Sequence, residues 1–465
     1  MSAGWFRRRF LPGGPGGPLP AAPRSPRPRA SPVPYRRPRF LRGSASGPAA
    51  PDGPRRPDAR PVRCPARGRA LPWNAGYAEI INAEKSEFNE DQAACGKLSI
   101  RRCEFGPEED QEWLTLCPEE FLTGHYWALF DGHGGPAAAI LAANTLHSCL
   151  RRQLEAIGEG MVATPPPMHL SGRCVCPSDP QFVEEKGIRT EDLVIGALES
   201  AFQECDEVIR RELEASGQVG GCTALVAVSL KGKLYVANAG DSRAILVRRD
   251  EVQPLSSEFT PETERQRIQQ LAFVYPELLA DEFTRLEFPR RLKGDDLGQK
   301  VLFRDYYMNG WSYKCVEKSD LKYPLIHGQG RQARLLGTLA VSRGLGDHQL
   351  RVLDTNIHLK PFLLSVPQVT VLDLDQLELQ EEDVVVMATD GLWDVLSNEQ
   401  VAQLVRSFLP GNREDPHRFS ELAKMLIHST QAKDGSPTTE GQMSYDDVSV
   451  FVIPLYSQSQ GSSGH

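Results

Sequence analysis

Short apolar runs in this chain repeatedly end at a carboxylate beside a glycine. Tyr126-Trp-Ala-Leu-Phe130 runs into Asp131-Gly132-His133-Gly134-Gly135, and an apolar run bounded by glycines reads as a buried strand. Pro136 is placed to open a helix, and Ala139, Ala143, Leu146, Leu150 and Leu154 give that helix one apolar stripe. A second helix is expected from about Thr190, which suits an N-cap, with the stripe Val194, Leu198, Phe202, Cys205, Ile209 and Leu213. Cys222–Ser229 and Leu234–Ala239 read as a hairpin joined by Lys231-Gly-Lys233. The second arm ends in Gly240-Asp241, and Ala244–Val247 continues as a strand.

The same reading gives a first strand at Ala78–Ala83 and further strands at Val369–Leu372, Val384–Ala388 and Val448–Ile453, with regularity also returning at Leu335–Val341. Val384–Ala388 delivers Thr389-Asp390-Gly391, and Asp446-Asp447 precedes the last strand. Ser397 to Gln400 has the spacing of a capping box, and a further helix is expected at about His417–Gln431. Residues 158–189 read as an inserted loop. Residues 252–334 hold a charged helix around Pro261–Gln270 and then an aromatic, basic stretch of weak periodicity, which is the pattern of a functional flap.

Charge divides the chain in two. Residues 1–72 carry sixteen arginines against two aspartates, a net +14, so the remaining chain must carry −22 for the total of −8. That Pro/Arg-rich segment is expected to be a disordered basic tail, and residues 456–465 a polar one. Trp5-Phe-Arg-Arg-Arg-Phe10 would allow weak contact with an anionic membrane surface. An Arg-rich start also resembles a transit peptide, though its prolines oppose the amphipathic helix that such a peptide needs. The acidic body argues against nucleic-acid binding and suits a protein that gathers divalent cations. No apolar run approaches the ~20 residues of a membrane span. Ten scattered cysteines without a CxxC pair argue for reduced, intracellular thiols.

Asp131, Asp241, Asp390 and Asp446 all sit where a strand meets a turn, and Glu90-Asp91 follows the first strand. Strand ends bring side chains to one rim, where clustered carboxylates repel unless cations neutralise them. All-oxygen ligands select Mg²⁺ or Mn²⁺ over zinc. Two such ions roughly 3.5–4 Å apart share a water and clamp a phosphoryl group.

With these motifs the sequence resembles the metal-dependent, 2C-type protein serine/threonine phosphatases. The resemblance rests on Asn89-Glu90-Asp91, Phe130–Gly135, Gly240-Asp241-Ser242-Arg243, Val341–Asp347, Thr389–Asp394 and Asp446-Asp447-Val-Ser449, and covers about residues 76–455. It implies an α+β fold, a four-layer αββα sandwich of two packed antiparallel sheets flanked by helices, within a domain of residues 73–455. It implies hydrolysis of phosphoserine and phosphothreonine by direct attack of a hydroxide bridging two Mg or Mn ions, with no phosphoenzyme. Asp131 would bridge the ions and the carbonyl of Gly132 would bind one of them. Asp390 and Asp446 would complete a shell, Glu90 and Asp91 would hold ions directly or through water, and Asp241 would serve a weaker third site with Asp390. His133 would be the general acid.

Two positions depart from the family. Ser86 stands where many relatives carry a phosphate-gripping arginine, with Lys85 beside it as a substitute lacking the guanidinium fork. Asp446-Asp447 replaces the usual Asp-Asn, so Asp447 competes with Asp446 as ligand. The long flap is shared with phosphatases acting on phosphorylated Rab-type small GTPases, which makes those an expected substrate by analogy alone. A cytoplasmic or nuclear monomer is expected.

Three other readings compete. Gly132-His-Gly134-Gly-Pro-Ala137 fits a loose dinucleotide fingerprint, but the acidic residue about 20 positions on, Glu155, ends the same helix instead of a second strand. Cys95–Arg101 and Cys205–Arg211 have the C-x5-R spacing of thiol phosphatases, yet Cys205 lies on an apolar helical stripe and Cys95 lacks a glycine-rich loop. An inactive pseudophosphatase scaffold would keep the fold, but such chains lose metal carboxylates and this one retains them.

Overall fold

The computed structural model describes residues 33–42, 61–81, 88–101, 120–158, 188–353, 355–431 and 446–456. Lys85, the inserted loop from 159 to 187 and the C-terminal tail from 457 lie outside the described residues. The strands that build the centre are β1 (Gly76–Ile80), β2 (Gln92–Arg101), β3 (Glu120–Phe130), β4 (Ala224–Leu230), β5 (Lys233–Ala239), β6 (Arg243–Val247), β7 (Val252–Pro254), β8 (Gln368–Asp373), β9 (Val384–Ala388) and β10 (Val448–Pro454). They form two antiparallel five-stranded sheets, in the orders β1-β10-β9-β6-β7 and β8-β5-β4-β3-β2.

Alternation along the strands explains the layers. In β3, Trp127 and Leu129 point between the sheets and meet Tyr77, Val236, Leu246, Met387 and Phe451. Tyr126, Ala128 and Phe130 point outward and are covered by α1 (Ala137–Ala156) and α2 (Thr190–Ser216). The other sheet is covered by α4 (Asn398–Phe408) and α5 (Arg418–His428), whose apolar faces meet Ile80, Ile245, Val386 and Val450. Helix, sheet, sheet, helix is the expected αββα order. Ser397 caps α4 reciprocally with Gln400, the backbone N–H of each donating to the other's side-chain oxygen. The α2 cap is Arg189, one residue before the expected Thr190, because the Asp192 carboxylate accepts the Arg189 backbone N–H at 3.0 Å.

The flap differs from its expected bounds. Residues 252–254 belong to the first sheet as β7, and the flap helix α3 is Arg265–Val274. The flap has its own core, in which Ile268, Leu279 and Leu325 meet Leu335, Leu339, Leu359 and Phe362. In the regular stretch Leu335–Val341 the strand is confined to the Arg334–Leu335 pair. Its leucines serve that small core around a turn with Leu336 at φ 47° and Gly337 at φ 69°, a use that apolar runs do not distinguish from strand. The Glu264 carboxylate ties the flap to the sandwich, accepting from Arg267, Ser342 and Arg343.

The expectation of one loose tail up to residue 72 is corrected for its described parts. Phe40 is 7% exposed and packs edge-on against Tyr77 at 4.8 Å. Arg63 pairs with Glu79 through both backbone hydrogen bonds, 2.8 and 2.9 Å, alongside the edge strand β1. Phe40, with Val33 and Leu41 packed against the core and Tyr35 stacked on Phe88 at 4.5 Å, seats a proline-rich segment whose composition argues for disorder. Phe40→Ala is expected to lower the unfolding free energy by about 3 kcal/mol, read from urea denaturation.

Burial also sets a pH dependence. Glu79 is 2% exposed beneath the Tyr77 hydroxyl, which donates to it at 2.7 Å. Withdrawal from water pushes its carboxyl up from 4.5 to about 7, against the pull of the Tyr77 hydrogen bond and of Arg37 and Arg63. The folded chain therefore binds this proton more tightly than the unfolded one, and the associated stability is full below about 4.5 and lost as pH rises through 7. Glu79→Gln, which keeps the shape and cannot ionise, is expected to gain on the order of 2 kcal/mol over the parent between pH 5 and pH 8 in urea unfolding. A pH-independent difference would contradict this.

Candidate metal centre

Strand register puts the carboxylates on one rim. Ala388 of β9 lies opposite Arg243 on one side and Val450 on the other. Asp390 beyond Ala388, Asp241 before Arg243 and Asp446 before Val450 therefore emerge together. In the second sheet Gln92 lies opposite Phe130, which sets Asp91 and Asp131 side by side. Asp131, Asp241 and Asp390 each offer an oxygen within 4.8 Å of the others. Gly132 is required by space, since a Cβ there would sit 2.5 Å from the carbonyl oxygen of Glu90.

Electrostatics joins the remaining acids to this triplet. The Asp131 carboxyl is held well above the usual range by withdrawal from water and by Asp390, Asp91, Asp446 and Asp241. Asp241 is raised by burial and then by Asp390. Asp91 is raised by burial and then by Asp447 and Asp446. Its Oδ2 accepts from the Thr389 hydroxyl at 2.9 Å, while its buried Oδ1 has no hydrogen-bond donor. Carboxylates crowded this way need a cation or protons, and an all-oxygen set suits a hard divalent ion. The residues present thus fit a metal.

The two adjacent aspartates do different things. Asp447 is buried and accepts the Glu90 backbone N–H at 2.8 Å, fixing the loop that carries Glu90 and Asp91. Asp446 is among the charges that raise Asp131. Lys85, the expected phosphate contact, lies outside the described residues.

His133 faces the rim with its Nε2 paired to Asp347 Oδ2 at 2.7 Å. Asp347 is 2% exposed with φ 59°, and it follows Gly346, whose N–H donates to the buried Asp206 of α2 at 2.7 Å. Asp206 also takes Lys360 at 2.9 Å and His348 at 3.0 Å, so an ion-paired cluster holds the loop that orients the histidine. The sequence reading contained Asp347 inside a motif without a role for it. It missed Asp394, pushed up to about 6 by desolvation and then by Asp390, with Arg331 opposing. It also missed the flap arginines: Arg331 pairs with Asp394 at 2.6 Å, and half-buried Arg334 feels Asp241, Asp390 and Asp394. Contacts across so much chain leave no local pattern. Arg243 of the Gly240–Arg243 motif proves structural, bonded to Glu258 and Asn398 over the Trp393 ring.

Comparison with known proteins agrees with this geometry. A profile described as "Protein phosphatase 2C" matches residues 172–285 and 326–435. Human "Protein phosphatase 1M" is 88% identical over 465 residues, covering 100% of both chains. Mouse "Protein phosphatase 1H" is 47% identical over 445 residues, 85% of this chain and 87% of that one. A solved structure of serine-threonine phosphatase 2C from Toxoplasma gondii aligns with TM-score 0.45 at 16% identity, over 85% of this chain and 99% of that one. The chain belongs to the protein phosphatase 2C family, whose members are metal-dependent protein serine/threonine phosphatases.

Proposed function

We propose that this chain removes phosphate from phosphoserine and phosphothreonine in proteins at the carboxylate rim, without a covalent intermediate. The observation that carries the reading is the convergence of Asp131, Asp241 and Asp390 within 4.8 Å. Two magnesium or manganese ions bound there would neutralise phosphoryl charge and lower the pKa of a water. Asp131, the Gly132 carbonyl, Asp390, Asp446, Glu90 and Asp91 would hold them, and Asp241 with Asp390 a weaker third. His133 gives its proton to the departing serine or threonine oxygen. With Nε2 engaged by Asp347, Nδ1 is the nitrogen left to face it. Lys85 and the flap's Arg334 are the cations available to hold the substrate phosphate.

The flap supplies a surface for a protein substrate. Tyr307, Trp311, Tyr313 and Tyr323 are exposed on it, with Arg304 over Trp311 at 4.7 Å and Arg291 over Tyr323 at 3.6 Å. Phosphorylated Rab-type small GTPases, in a cytoplasmic or nuclear setting, are the substrate class proposed by analogy with long-flap phosphatases. The test is hydrolysis of a phosphothreonine peptide with Mn²⁺, Mg²⁺ or EDTA. Turnover that needs metal and stops in EDTA is expected; a folded protein inert with either metal would assign the chain a binding role instead.

A further inference from the structure

Away from the carboxylate rim, five arginines line one cleft of about 340 Å³. Arg36, Arg37, Arg39 and Arg42 come from the segment that carries Phe40, and Arg69 from the stretch leading to β1. The opposite wall is β2 from Gln92 to Gly96, with Tyr126 of β3 and Asn144 of α1. Among the described residues no carboxylate lines the cleft. Three of the arginines bond neutral oxygens: Arg42 Nε donates to the Arg37 carbonyl at 2.9 Å, Arg69 to the Arg42 carbonyl at 2.7 Å, and Arg39 to the Asn144 side chain at 3.4 Å, while Arg37 acts on the buried Glu79.

Many arginines elsewhere are neutralised by acids: Arg210 pairs with Glu207 and Glu214, Arg285 with Asp305, Arg304 with Glu287 and Arg343 with Glu264. Among the described residues Arg36, Arg39, Arg42 and Arg69 pair with no acid. The crowding is costly, since Arg42 is lowered by desolvation and then by Arg36 and Arg39. Guanidinium forks converging on a concave space match the oxygens of phosphate bidentately, and each phosphate brings about −1.5 to −2 charges at neutral pH. The cleft runs away from the metal centre: its near end, Gln92, follows Asp91, and its far end, Tyr126, lies five residues up β3 from Asp131, roughly 16 Å at about 3.3 Å per residue.

We infer that this cleft binds a polyphosphorylated anion, held by Arg36, Arg39, Arg42 and Arg69. A free inositol polyphosphate and the headgroup of a phosphoinositide lipid share the required chemistry. Because three of the arginines ride on the segment from 36 to 42 and face β2 and α1, the bound anion fastens that segment to the sandwich.

The test is calorimetric titration of the full chain in EDTA with inositol hexakisphosphate as probe, where no turnover enters the readout. A single site is expected, weakened about tenfold or more in Arg39→Ala/Arg69→Ala and partly restored in the corresponding lysine pair. The probe should raise the melting temperature of the parent and not of the alanine pair. If the alanine pair melts below the assay temperature, Arg36→Glu at its exposed position replaces it. Equal affinity of parent and variant, an equal loss in the control Arg8→Ala/Arg9→Ala, or no binding would overturn the inference. In a second arm, phosphatidylcholine vesicles carrying a phosphoinositide bisphosphate are sedimented with the protein. Capture released by the soluble probe and lost in the alanine pair supports the site and identifies a lipid headgroup; absence of capture beside tight soluble binding supports it and identifies the free anion.

Discussion

Asp390→Asn is expected to remove metal-dependent turnover and metal-dependent stabilisation together. Asp390 belongs to the oxygen triplet and raises both Asp131 and Asp241. Loss of a partner outside a metal's shell typically costs 10–100-fold, so loss of a ligand should exceed about 100-fold on a phosphothreonine peptide. In the parent, Mn²⁺ at about 100 times its dissociation constant should add roughly 2.7 kcal/mol of stability. The variant should lose that gain. Without metal the order reverses, because two carboxylates near 4 Å repel by up to about 4 kcal/mol near a protein surface. The neutral amide relieves part of this, and a metal-free melting temperature higher by a few degrees is expected. Differential scanning calorimetry with and without Mn²⁺ measures both signs. A variant that melts lower in EDTA and still gains from Mn²⁺ would contradict the assignment.

The second large effect depends on the leaving group. His133→Asn should slow a phosphothreonine peptide by about 10²- to 10⁴-fold, because an alkoxide must be protonated as it departs. An aryl phosphate expels a stable phenolate and should lose far less. Asp347→Asn should act in the same direction by releasing the ring from its 2.7 Å partner. Equal losses on both substrates would make His133 a binding or structural residue. Steady-state kinetics of the three proteins on the two substrates separates these outcomes.

The sequence was most legible where one short strand did the whole job. Asp131, Asp241 and Asp390 each follow an apolar run and precede or follow a glycine, a local pattern, and the register of the paired strands then carries them to one rim. The flap was less legible. Leu335, Leu336 and Leu339 read only as a regular apolar stretch, and they fill a private core around a positive-φ turn. The N-terminal segment departs from its composition because a few apolar anchors, Val33, Tyr35, Phe40 and Leu41, outweigh its proline and arginine. Asp206, Asp347, Arg331 and Arg334 gain their roles from partners far along the chain, and such pairings exist only once the chain has folded.

The pairing of Arg63 with Glu79 has a colloidal consequence. β1 is the last strand of its sheet, and the outward N–H and C=O of its Glu79 are satisfied by Arg63 of the stretch before it. A chain begun at Gly76 would present that hydrogen-bonding edge to solvent, with Tyr77 and Phe451 stripped of Phe40 beside it. Bare edges recruit other strands. The proline-rich stretch, dispensable by composition, thus sets the concentration at which this enzyme stays dispersed, and light scattering of the shortened chain should show self-association where the full chain shows none.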